Sequence, residues 1–61
     1  MSRKIGQIVE KLREAKGLSQ HQLAERAQVS QSFISILEDG KLENTPPPMI
    51  LERLAQALDV K

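Results

Sequence analysis

Apolar residues recur along this chain at steps of three and four, and no stretch alternates with period two, so the pattern predicts helices throughout. In "SRKIGQIVEKLREAKG", Ile5, Ile8, Val9, Leu12 and Ala15 fall on one face of a helix running from about Arg3 to Lys16. Ser2 is placed to cap its start, and Gly17 to end it by adopting the left-handed conformation after the last turn. "SQHQ" at Ser19–Gln22 is a capping box opening a second helix, with Leu23, Ala24 and Ala27 on its inner side. Gln28 and Val29 form a turn. Ser30 then caps a third helix over about 31–38, with Phe33, Ile34 and Leu37 inward and Gly40 as its stop. After Thr45, three prolines stiffen an extended path into a fourth helix. Leu51, Leu54, Ala55 and Leu58 recur along that helix at helical spacing.

Two short serine-capped helices separated by a three-residue turn form a helix-turn-helix, spanning about residues 19–38. In that motif the second helix can lie in a DNA major groove. Ala24 and Ala27 are small where the two helices approach closely. Val29 plugs the turn, and Ile34 and Leu37 lock the second helix onto the first. The outer face of the third helix is then Gln31, Ser32, Ser35 and Ile36, with no lysine or arginine. Base edges do not demand charge. Glutamine pairs with adenine N6 and N7, serine donates or accepts, and an aliphatic group contacts the thymine methyl. These four residues are the candidate base contacts, and they favour A·T-containing sites. Phosphates do attract charge, but contacts to them position rather than specify.

Composition bounds the alternatives. At 61 residues the chain makes one domain, residues 1–61, whose core supplies about 3–5 kcal/mol of net stability. It has no cysteine, hence no disulfide or thiolate metal site, and a single histidine, His21, which does not make a zinc site. A net charge of +1 does not by itself predict a nucleic-acid partner. There is no glycine-rich phosphate loop and no nucleophile paired with a base, so no enzyme and no cofactor are expected. The opening residues lack the continuous apolar stretch of a signal peptide, and no run reaches membrane-spanning length.

"LSQHQLAERAQVSQSFISILEDGK" followed by "ERLAQALDV" resembles the phage-repressor type of helix-turn-helix, the lambda repressor, Cro and XRE-like regulators. The resemblance covers about Ile5 to Val60. It implies an all-α, compact four- to five-helix domain that binds double-stranded DNA as a homodimer, in a cytoplasmic regulator of bacterial or phage origin. It also implies that Gln20 contacts a phosphate and buttresses Gln31, that Lys41 and Asn44 meet the sugar-phosphate backbone, and that Arg13 and Glu38 pair between the first and third helices. Two positions depart from the family. Gln28 stands where a left-handed glycine is usual, so mild strain or an adjusted turn is expected. Ile36 stands where a polar or basic residue is common. Related proteins often continue past "ALDV" with a fifth helix or a C-terminal segment. Met49, Ile50 and Leu58 are therefore candidate contacts for a second copy, a C-terminal domain or a partner protein. A competing expectation is a protein-interaction module, such as an antitoxin or a domain bound by an antirepressor.

Overall fold

The computed structural model describes residues 3–60, with nothing described for the Arg3 side chain. The described residues form four helices: α1 (Arg3–Ala15), α2 (Gln20–Ala27), α3 (Gln31–Glu38) and α4 (Pro48–Ala57). The expected Ser2 cap lies outside the described residues.

Helices α2, α3 and α4 start where the sequence places start signals. At α2 the capping box is complete: Gln22 N–H donates to Ser19 Oγ at 3.0 Å, and Ser19 N–H donates to Gln22 Oε1 at 2.8 Å. At α3, Phe33 N–H donates to Ser30 Oγ at 3.1 Å. Pro48 is the first residue of α4, where a missing N–H costs nothing.

All four helices end in one way. A residue with left-handed backbone follows the last turn: Gly17 (φ +69°), Gln28 (φ +60°), Gly40 (φ +73°) and Asp59 (φ +60°). The next amide then reaches back five residues, from Leu18 to Arg13, Val29 to Ala24, Lys41 to Ile36 and Val60 to Ala55, at 3.0–3.1 Å. This is the Schellman arrangement, which satisfies carbonyls that the helix itself leaves without donors. Gln28 is therefore left-handed without being glycine, so the strained form of the turn is the one adopted.

The core joins Val9 of α1 and Leu18 to Leu23, Ala24 and Ala27 of α2, Ile34 and Leu37 of α3, and Leu54, Ala57 and Leu58 at α4. Ile5, Leu12, Val29, Phe33, Leu42 and Ile50 pack around it, partly buried. The stripe on α1 is narrower than its apolar spacing predicts. Ile8 is 51% exposed and Ala15 is exposed, because α1 is laid mainly against α3. Gly6 permits that approach. A Cβ there would fall 1.9 Å from the Leu37 carbonyl oxygen, an impossible separation.

Candidate nucleic-acid interface

The Ser30 cap makes Gln31 the first residue of α3, and helical spacing brings Ser32, Ser35 and Ile36 to the same side. Ile34, Leu37 and Glu38 face the opposite way and are buried. The outer side chains, with Gln20 from the start of α2, line one open groove. Gln31 and Ser32 are exposed, Ser35 is half-buried, and Ile36 is 42% exposed. With side chains an α-helix is about 10–12 Å across, which fits the roughly 12 Å width of a B-DNA major groove. The candidate base-reading residues thus share one surface, and none of them is needed to fill the core.

Behind this surface lies a charged cluster. Arg13 Nε donates to Glu38 Oε2 at 2.7 Å and Nη2 donates to Glu38 Oε1 at 3.0 Å, while Nη1 donates to the Leu18 carbonyl at 2.8 Å. The Arg13 and Glu38 side chains are 12% and 1% exposed. The hydrogen bond to Glu38 raises the Arg13 pKa above its ordinary value. Burial opposes the rise, and the charges of Glu38, Glu14 and Glu10 add to it. A buried fork of this kind fixes how helices meet more than it adds net stability. It is a through-space contact between residues 25 positions apart.

Gln20 makes a contact beyond those that the resemblance implies. Its Nε2 donates to Glu38 Oε1 at 3.0 Å. The buried carboxylate can hold the Gln20 amide nitrogen because it has accepting capacity left over from the arginine fork. No sequence signal marks this contact, although the polar type of Gln20 at a helix start allows it.

Lys41 and Asn44 are exposed in the loop joining α3 to α4, outside the residues that line the groove. Among the expected interface residues, Met49 is 64% exposed and Ile50 is partly buried against the core. Leu58 is 2% exposed, so it is corrected from interface candidate to core residue. The last turn of α4 aims it inward beside Leu54 and Ala57. Among the described residues, no helix is long and apolar enough to cross a membrane.

Two short capped helices, a tight left-handed turn between them and a polar outer face on the second define a helix-turn-helix domain. The chain matches the Helix-turn-helix family over residues 9–61, and it belongs to that family. It is 39% identical over 56 residues to the HTH-type transcriptional regulator SinR of Bacillus subtilis (strain 168), an alignment covering 92% of this chain and 50% of SinR. The SinR of Bacillus licheniformis matches with the same identity and coverage. The chain therefore spans about half the length of these curated relatives. Among solved structures, the restriction-modification controller protein C.AhdI from Aeromonas hydrophila superimposes with a TM-score of 0.89 at 35% identity, over 98% of this chain and 88% of that one. A chain of the SinR protein/SinI protein complex superimposes with a TM-score of 0.84 at 39% identity, over 92% of this chain and 53% of that one.

Proposed function

We propose that this domain binds double-stranded DNA sequence-specifically and serves a transcriptional regulator, with α3 seated in the major groove. The observation that carries this reading is the single groove lined by Gln20, Gln31, Ser32, Ser35 and Ile36 on the side of α3 facing away from the core. The relatives' names, a transcriptional regulator and a restriction-modification controller, support the same reading. Gln31, Ser32, Ser35 and Ile36 read base edges. Lys41 and Asn44 contact the sugar-phosphate backbone from the loop after α3. Such contacts set orientation without adding sequence information.

One copy offers a single short reading face. A homodimer on two half-sites about one helical turn apart supplies the missing specificity. Met49, exposed at the start of α4, is a candidate for such a contact. The test is selection of bound duplexes from a random pool, with the mass of free and bound protein measured in solution. The expected result is enrichment of a two-fold symmetric, A·T-containing site bound by two copies. Absence of any enriched sequence overturns the reading.

A second reading, recruitment of a protein partner through the same fold, is favoured by the exposed apolar side chains of Ile8, Ile36 and Met49. The match to a chain of a protein–protein complex points the same way. Salt separates the two readings. Phosphate-driven binding weakens by about 0.9 log units per log unit of salt for each neutralised phosphate, and an apolar interface changes little.

A further inference from the structure

The Glu38 carboxylate is used by two different side chains. Arg13 occupies both of its oxygens, and Oε1 also accepts from Gln20 Nε2. The Arg13 bonds join α1 to α3. The Gln20 bond reaches a different place, because Gln20 also lines the groove that holds Gln31, Ser32, Ser35 and Ile36. A primary amide has one accepting end and one donating end of nearly equal size, so shape alone does not set which end points where. A carboxylate only accepts, so only the NH2 end of Gln20 can face Glu38. The arginine fork in turn holds that carboxylate still. With Nε2 committed to Glu38, the accepting oxygen is the end of the amide left for the groove.

We propose that Glu38, although buried, is a positioning residue for DNA recognition that fixes the polarity of the Gln20 amide. This rests on the DNA-reading function proposed above. An acceptor at the base of the groove takes one N–H of Gln31 as the complex forms. Gln31 then offers outward its own oxygen and its second N–H, the acceptor–donor pair that matches adenine N6 and N7. With the Gln20 amide free to turn, the groove presents a donor as readily as an acceptor, and Gln31 loses its preferred orientation. The role of Gln20 in this scheme is selective for a base, which a phosphate contact is not.

The experiment compares wild type, Glu38→Gln and Gln20→Met by selection from a random duplex pool. Base preference is read at every operator position, and thermal melting is recorded for each protein. Glu38→Gln sets a donor against Arg13 in either orientation of its new amide, and the orientation that keeps the shorter Arg13 Nε bond puts the new NH2 at the Oε1 place, where it no longer holds the Gln20 NH2 inward. Gln20→Met removes the acceptor and spares the ion pair. Both variants are expected to lose about tenfold in adenine discrimination at one position and to keep the preferences at the others. If Glu38→Gln unfolds, Gln20→Met tests the acceptor in the groove and side-chain hydrogen exchange tests its tether to Glu38. A uniform loss over all positions, or an unchanged profile, overturns the positioning role. A wild type without sequence preference overturns the DNA-reading function and the inference with it. Hydrogen exchange of side-chain amides in the free wild type tests the tether itself. The Gln20 NH2 is expected to exchange more slowly than those of the exposed Gln7 and Gln56, and equal rates overturn the inference.

Discussion

Arg13 and Glu38 meet fork to fork, with Nε to Oε2 at 2.7 Å and Nη2 to Oε1 at 3.0 Å, and the carboxylate is 1% exposed. Removing one partner strands the other, and an unpaired buried charge costs about 3–5 kcal/mol. That equals the about 3–5 kcal/mol that a core of this size supplies. Arg13→Met is therefore expected to bring the folding free energy near zero and leave about half of the molecules unfolded at 25 °C, read as reduced helical circular dichroism. The double variant Arg13→Met/Glu38→Leu removes both charges and is expected to recover most of the signal. If the single variant melts like the parent, the pair does not hold the helices.

Gly6 faces the Leu37 carbonyl oxygen, with space for a hydrogen and none for a methyl. In an exposed helix interior Gly→Ala stabilises by about 1 kcal/mol. Here the clash is with backbone, which cannot rotate aside, so Gly6→Ala is expected to destabilise by about 1–3 kcal/mol. A raised melting temperature would show that α1 does not pack this closely on α3.

Gln28 holds the left-handed conformation at the helix-turn-helix turn, with φ +60° and ψ +43°. That conformation costs a non-glycine residue about 1–2 kcal/mol. Gln28→Gly relieves it, partly offset by the larger unfolded-state entropy of glycine. The net gain expected is about 1 kcal/mol, or about 4–8 °C in Tm for a domain of this size. An unchanged or lower Tm would place the turn outside the left-handed region.

Gln31 and Lys41 are assigned different parts in binding. Gln31→Ala is expected to cost about 1–3 kcal/mol on a selected operator and to relax preference at one base position. Lys41→Ala is expected to weaken all duplexes about equally and to lower the salt slope by about 0.9. Titrations at several salt concentrations on specific and scrambled duplexes separate the two effects. A Gln31→Ala protein that binds its operator like the parent removes α3 from the reading role.

The local signals were legible because their causes lie within a few residues. Ser19, Ser30 and Pro48 start helices where the sequence places starts, and Gly17 and Gly40 end them. The polar outer face of α3 was also legible, since it follows from the positions of Ile34 and Leu37 on the other side. What the sequence hid depends on partners distant in the chain. Ile8 fits the apolar period of α1 but falls outside the narrow strip that α3 covers. Gly6 resembles a weak point in a helix until the Leu37 backbone appears beside it. Leu58 reads as a terminal apolar residue available to a partner, and only the direction of the last turn of α4 shows that it fills the core. The bond from Gln20 to Glu38 joins two polar residues that nothing in the chain links.

The division of α3 into a buried side and an outward side has an engineering consequence. Gln31, Ser32 and Ile36 can be randomised together with little loss of folding free energy, because none of them is among the residues that form or pack against the core. A library built on these sites would sample new target sequences on a constant chassis. Glu38, on the inward side, is the residue such a library should leave alone.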